Sequence, residues 1–350
     1  MSWPLHVGCV VVAMLALCGL GQADQPERVF PGESWATKSP AEVGLDAGKL
    51  QEFARRMGVD DPNFRSSGCV VRHGYLVYSW GNQADKSNWA SATKPVLSTL
   101  LFFAVKEGKL KSVDDKVGDW GWKLSEKDKP MTFRHLANMT SGYACQEPPG
   151  AAWNYNDSAI QLYFLTLEKV FGKDINSAAT ECFKPLQLQD GTIFNSKGRL
   201  ITTPRDFARI GWFWLNRGDW AGKQLLPRKF FDDYMKPQVP GNLPLSVTTQ
   251  AADYLGIGSY GGKPKPTAYG PGKYGFNWWF NAPEGDSTTP FMPDAPADIV
   301  IANGRGGNFM VLMPGLDLVI AARGDWGNVM PGTERVKFNE NLKLLVEAAK

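Results

Sequence analysis

Strand patterns lie at both ends of this chain and helical patterns fill the stretch between them, which restricts how its apolar surface can be buried. Near the start, Cys69-Val70-Val71-Arg72 and Tyr75-Leu76-Val77-Tyr78-Ser79-Trp80 flank His73-Gly74. Two strand-like runs separated by a two-residue turn predict a β-hairpin. Near the end, Asn308 to Met313 and Leu318 to Arg323 flank the turn Pro314-Gly315-Leu316-Asp317 in the same manner. Glu42 to Met57, with Leu45, Leu50, Phe53, Ala54 and Met57 on one side, predicts an amphipathic helix before the hairpin, and Glu334 to Ala349 a helix after the last strand. From Ser91 to about Asn216 helical patterns dominate, among them Ala159 to Phe171 and Thr203 to Asn216, the latter opening on Thr203-Pro204 as cap and first-turn residues. Asn242 to Lys273 is rich in Gly and Pro and reads as loop. The simplest packing is an α/β (α+β) fold: one antiparallel sheet made from both chain ends, flanked by the terminal helices, with an all-helical subdomain inserted at roughly 91–240.

Composition agrees with such a core and narrows the partners. With 350 residues, 43% hydrophobic and 21% charged, the chain can bury a sizeable interior as one large or two interleaved domains. The net charge of +3 is mild and no run of five like charges occurs, so no nucleic-acid partner is expected. A small-molecule or peptide-like substrate fits better. Val7 to Leu20 is apolar and ends in Gly21-Gln22-Ala23, too short for a comfortable span of about 20 residues and suited to a signal peptide over residues 1–23. A secreted or periplasmic protein of residues 24–350 without a membrane span is the resulting expectation; an uncleaved anchor is the other reading, since nothing before the stretch is basic. Three cysteines then remain, Cys69, Cys145 and Cys182, of which Cys145 and Cys182 are candidates for one bridge. Oligomeric state is not legible.

Ser91-Ala92-Thr93-Lys94 is the one S-x-x-K tetrad in the chain, and the apolar run Val96 to Val105 follows it. Ser91 therefore opens a predicted helix with Lys94 one turn on, where Cβ atoms are about 5–6 Å apart. A lysine desolvated in that place can take the proton of a serine hydroxyl, and the unpaired N–H groups of a helix start favour negative charge nearby. Taken alone, one such tetrad is what chance supplies. The three histidines leave little room for another base: His6 lies in the leader, and neither His73 nor His135 has an evident acidic partner or a G-x-S-x-G elbow near it. No His/Cys cluster has metal-ligand spacing, so neither metal nor cofactor is expected.

Tyr155-Asn156-Asp157 is the one Tyr-x-Asn/Asp in the chain, placed where a loop enters the helix from Ala159. From there a phenol can relay a proton between nucleophile and leaving group; the plain alternative is a packed tyrosine with Asp157 as helix cap. Ala302-Asn303-Gly304-Arg305-Gly306-Gly307-Asn308 stands at the expected head of the penultimate strand. Glycines there let a backbone N–H approach a substrate closely, and a β-bulge or tight entry turn explains them equally well.

In this order the three motifs resemble those of the serine β-lactamase and penicillin-recognising superfamily, most closely its class C-like branch of β-lactamases, esterases and amide hydrolases. His135-Leu136-Ala137-Asn138-Met139-Thr140-Ser141-Gly142, the segment Gly198 to Gly211, and Tyr274-Gly275-Phe276-Asn277-Trp278-Trp279 are similar to further segments of that branch. The resemblance runs from about Val43 to the C-terminus. It implies Ser91 as the acylated nucleophile, Lys94 as its proton acceptor, and Tyr155 as the group that protonates the leaving group and activates the deacylating water. It also implies a place in substrate or oxyanion binding for Asp157, Gly304 and Arg305, with the Arg305 N–H in the oxyanion hole. Two departures bear on the substrate. Ala302-Asn303-Gly304 replaces Lys-Thr-Gly or His-Thr-Gly, and Asp157 replaces the motif's Asn. Both fit an esterase or amidase, such as the branch resembling 6-aminohexanoate-dimer hydrolase. A β-lactamase or D,D-peptidase is the alternative, and a catalytically silent envelope or binding protein on the same fold the third reading.

Overall fold

His73 and Gly74 both hold positive φ, 54° and 82°, so the chain reverses within two residues between β1 (Ser67–Arg72) and β2 (Tyr75–Trp80). That primed turn matches the twist of paired strands, and the expected hairpin is present. The computed structural model describes residues 28–349 apart from 62–64, 267–268, 284, 286 and 328–331; the expected leader lies outside the described residues. The remaining strands are β3 (Ser87–Asn88), β4 (Ile193–Phe194), β5 (Leu200–Thr202), β6 (Asp219–Trp220), β7 (Lys223–Gln224), β8 (Tyr274–Gly275), β9 (Trp278–Phe280), β10 (Val300–Gly304), β11 (Asn308–Met313) and β12 (Leu318–Arg323). The helices are α1 (Ala47–Arg56), α2 (Lys94–Lys106), α3 (Phe133–Ala137), α4 (Asp157–Phe171), α5 (Ile175–Phe183), α6 (Pro204–Leu215), α7 (Arg228–Tyr234) and α8 (Thr333–Ala348).

Seven strands form one antiparallel sheet in the order β2-β1-β12-β11-β10-β9-β8. Its central seam joins the chain's ends: β1 pairs with β12 from Ser67 opposite Arg323 to Arg72 opposite Leu318. Neighbouring residues of β11 face opposite layers, as alternation demands. Met310 meets α6, where a Cβ added at Gly211 would lie 2.5 Å from its sulfur. Phe309 meets Phe338 of α8, ring centroids 4.8 Å apart, and Trp326 at 5.3 Å. Both faces of the sheet are covered, which is why every residue of β11 is buried.

The middle of the chain is helical in its mass, built around α2, in which eleven of thirteen residues are buried. A helix apolar on all sides belongs in an interior. Trp214 of α6 donates to Thr99 of α2 at 2.9 Å, tying the helical region to the sheet-covering helix. Two small ribbons, β3-β5-β4 and β6-β7, edge this region; the sequence reading omits them because strands of two or three residues carry no period.

Two boundaries differ from expectation. The first helix begins at Ala47, not Glu42: a short 3-10 turn Ala41–Val43 stops at Gly44 with φ 69°, and Asp46 then caps α1 through the Lys49 N–H. Ala302-Asn303-Gly304 ends β10, a strand of its own, and Arg305, Gly306 and Gly307 turn the chain into β11. Gly306 and Gly307 hold φ of 81° and 72°, so the glycines serve that turn. The described residues of the segment 242–273 form no helix or strand, as expected, and touch the helical region through isolated bridges of Leu245 to Trp153 and Lys265 to Tyr155. No helix among the described residues is long and apolar enough to cross a membrane.

Candidate active site

The turn that carries Ser91 is held from several sides. It is a 3-10 turn, Ala90–Thr93, leading directly into α2, so Ser91 stands among the N–H groups that a helix start leaves without an intrahelical acceptor. Asn88 Oδ1 accepts from the Ala90 N–H at 2.8 Å, and the Tyr260 hydroxyl donates to the Ala90 carbonyl at 2.8 Å. Thr93 Oγ1 accepts from the Leu200 N–H at 3.0 Å, and the Trp89 indole donates to the Thr202 carbonyl at 2.9 Å. Below it lies Gly304, where a Cβ would come within 2.4 Å of the Trp89 carbonyl oxygen and 2.9 Å of the Ala92 nitrogen. Gly304 thus lets β10 lie against the Ser91 turn.

Lys94 is 1% exposed, and its Nζ donates to Ser91 Oγ and to Tyr155 Oη, each at 2.7 Å. The same Nζ stands 2.8 Å from Asp157 Oδ1. That contact is a buried ion pair. Asp157 Oδ2 accepts from the Gly262 N–H at 2.9 Å. Asp157 is free for this because Asn156, not Asp157, caps α4: the Asn156 side chain accepts from the Ser158 and Ala159 N–H groups at 3.0 and 3.2 Å. Asp157 thus contacts Lys94 while its side chain also lines the space over Ser91.

These contacts set the electrostatics. Burial pushes the Tyr155 phenol well above its ordinary value and the Asp157 charge pushes the same way, while the Ser91 hydroxyl and the Arg199 charge pull it down. Burial pushes the Asp157 carboxyl up, yet the Lys94 ammonium and the Gly262 N–H outweigh it and hold the carboxyl below the usual carboxylate value. Tyr155 is clamped by its ring, near-parallel to Trp279 at 6.1 Å, and by two backbone bonds to Lys265 at 3.0 and 3.2 Å. The Lys94 ammonium also lies over the rings of Tyr155 and Tyr260, 4.3 and 4.7 Å from their centroids.

A cleft of about 450 Å³ opens over this cluster. Ser91, Tyr155 and Asp157 line it together with Arg305, whose side chain is exposed. Arg199 and Lys265 line it too, neither of them singled out by the motifs. Arg199 sits within a segment that the sequence does mark; Lys265 and Tyr260 come from the Gly- and Pro-rich loop, where no pattern points at any one side chain. No group of His, Cys, Asp and Glu among the described residues can hold a metal ion.

The remaining candidates lie elsewhere. His73 does have an acidic partner: its Nδ1 is 2.8 Å from Asp317, at the hairpin turns of the sheet. The two turns are distant in sequence and adjacent in the fold, which is why the pair is invisible in the chain. His135 closes a capping box with Thr132 at the start of α3. Neither lines the cleft. Cys69, Cys145 and Cys182 are all free thiols, so Cys145 and Cys182 are not bridged.

The sequence matches the family described as Beta-lactamase over residues 69–323. No curated protein matches it. Among solved structures, a beta-lactamase from Mycobacterium bovis is 17% identical with a TM-score of 0.57, covering 82% of this chain and 96% of its own. A protein described as a 6-aminohexanoate-dimer hydrolase from Bacillus anthracis is 18% identical with a TM-score of 0.60, covering 92% of this chain and 87% of its own. A hydrolase with promiscuous acyltransferase activity is 14% identical with a TM-score of 0.61, covering 87% of this chain and 99% of its own. At these identities the likeness is one of fold.

Proposed function

This chain belongs to the beta-lactamase family, and from that premise we propose that it is a serine hydrolase forming an acyl-enzyme at Ser91 from an ester or amide. The observation that carries the reading is the single Lys94 Nζ donating at 2.7 Å to both Ser91 Oγ and Tyr155 Oη. In the reactive form the Tyr155–Lys94 pair is one proton short, and as Ser91 Oγ attacks the acyl carbon its proton passes to that pair. The oxyanion that forms faces the N–H groups of Ser91 and Arg305. Collapse breaks the bond to the alcohol or amine, which leaves with the proton from Tyr155. In the second half-reaction water gives its proton to the same pair, attacks the ester at Ser91, and releases the acid as Ser91 recovers its proton.

An ester or amide outside the β-lactams is favoured by two features of the cleft. The carboxylate of Asp157 is engaged with Lys94 and Gly262, so position 157 offers no amide donor. Ala302 and Asn303 stand on β10 where the β-lactamase pattern has Lys-Thr or His-Thr, so the cations of the cleft come from other positions, Arg199, Lys265 and Arg305. The test is labelling with a serine-directed phosphonate followed by peptide mapping, with turnover of p-nitrophenyl esters, a chromogenic cephalosporin and a linear amide in wild type and Ser91→Ala. Label on the Ser91 peptide and loss of turnover by at least about a thousandfold in the variant are expected. Absence of label, or a Ser91→Ala protein as active as wild type, ends the reading.

A further inference from the structure

The cleft over Ser91 is rich in positive charge that the protein itself leaves unanswered. Arg199, Lys265 and Arg305 line it, and among the described residues none of the three is ion-paired with a carboxylate. The one carboxylate in the lining, Asp157, is already engaged by Lys94 and by the Gly262 N–H. Unpaired lysines and arginines on open surface are ordinary, so position and fixation matter more than number.

Arg199 is half-buried and pinned. Its Nε and Nη2 donate to the Tyr260 carbonyl at 3.1 and 2.7 Å, and its guanidinium lies over the Tyr260 ring at 5.2 Å. Among the described residues Nη1 has no acceptor, on a side chain that has already lost its rotamer freedom. Lys265 is held through its backbone, bonded in both directions to Tyr155, and its Nζ stands near Gly262, 3.9 Å from where a Cβ there would be. Both charges are felt at the site: Arg199 lowers the Tyr155 phenol against its burial, and Lys265 lowers the Asp157 carboxyl. Arg305 adds a third charge to the lining, directly after Gly304, which packs against the Ser91 turn.

We propose that this cleft selects acyl substrates carrying a carboxylate beyond the scissile carbonyl, anchored by Arg199 and Lys265 with Arg305 at the mouth. The proposal rests on Ser91 being the nucleophile and adds the substrate class. A fixed donor and a second cation in the same cleft can each make a charge-assisted hydrogen bond to a substrate carboxylate, stronger than a neutral one and dependent on salt.

The discriminating pair is mono-p-nitrophenyl adipate and its methyl ester, identical in leaving group and chain length and different in one negative charge. Wild type is expected to show kcat/KM for the anionic ester higher by on the order of tenfold or more. That ratio falls as ionic strength rises from roughly 0.02 to 0.5 M, where the screening length drops below the span of the cleft. Arg199→Gln and Lys265→Gln each lower the ratio, and Arg199→Lys, which keeps the charge, restores part of it. Calorimetric titration of adipate into Ser91→Ala gives the same answer without turnover: binding in that protein, weakened by Lys265→Gln, supports the proposal, and no binding counts against it. A ratio at or below one, unmoved by the variants, overturns the anionic preference while leaving the hydrolase reading standing. Failure of phosphonate to label Ser91 removes the hydrolase reading itself.

Discussion

A shift of one residue in a helix cap changes what Asp157 does. With Asn156 taking the Ser158 and Ala159 N–H groups, the next carboxylate turns inward to Lys94, and the result is a buried pair, 1% and 5% exposed. Removing one partner of such a pair leaves the other charge uncompensated, at a cost of about 3–5 kcal/mol. Asp157→Ala is therefore expected to lower unfolding free energy by about that amount near neutral pH, read by urea titration. The sign with pH follows from the depressed carboxyl. The stabilisation is complete above the ordinary carboxyl value of 3.8 and is lost as pH falls through the lower native value. The gap between wild type and variant should hold from about pH 5 to 8 and close below about pH 4; a gap that is flat to pH 2.5 argues against the pairing. Asp157→Asn tests chemistry more gently, since it keeps the shape and removes the charge that raises Tyr155. Ser91, Lys94 and Tyr155 were legible in the sequence because their motifs are local. The partner of Asp157, and the entry of Arg199, Tyr260 and Lys265 into the site, were not, because those contacts are made by segments far apart in the chain.

At the scale of elements, the site depends on how closely β10 lies against the 3-10 turn before α2. Gly304 has no room for a methyl group, and the obstructing atoms are backbone, at 2.4 Å from Trp89 O and 2.9 Å from Ala92 N. Backbone cannot step aside as a side chain can, so Gly304→Ala must move the strand or the turn that carries Ser91. A displacement near 1 Å at reacting groups costs on the order of a hundredfold in rate, and overpacking costs about 1–3 kcal/mol of stability. Gly211→Ala is the control. Its obstruction is side chain, Met310 Sδ at 2.5 Å and Val319 Cγ1 at 2.8 Å, on the face between α6 and the sheet. That variant should lose comparable stability while keeping its kcat/KM, and equal activity losses in both would show that Gly304 has no special relation to Ser91. Elements with strong periods or caps were readable: β11, β12, α4, α6 and α8 fall within a residue or two of expectation. Where a glycine or a cap interrupts a longer apolar pattern, as at Gly44 and at the end of β10, the pattern alone ran the element on or attached it to its neighbour.

At the scale of the molecule, β1 pairing with β12 means that neither end of the chain has a finished sheet without the other, and α6 binds the middle of the chain to that seam. The arrangement of strands at both ends made this closure legible in the sequence; the depth of α6 against the sheet was not, because a helix's partner leaves no mark in its own period. A chain so interlocked should unfold as one unit, and its cysteines report on this. Burial pushes the thiol of Cys69, on β1, up to about 12, and that of Cys182, on α5, up to about 12. At pH 8 only about one such thiol in ten thousand is ionised, and reagents reach it only through opening. Cys145, pushed up to about 11 by burial first and by Glu147, is less enclosed and stands near the loop that flanks the cleft. Labelling followed by peptide mass analysis across a urea series is expected to give Cys69 and Cys182 one common free energy of opening, with Cys145 reacting through a smaller one. Should Cys182 become reactive at urea concentrations where Cys69 stays protected, the helical region opens by itself, and the wall of the cleft that carries Tyr155 moves independently of the sheet that carries Gly304.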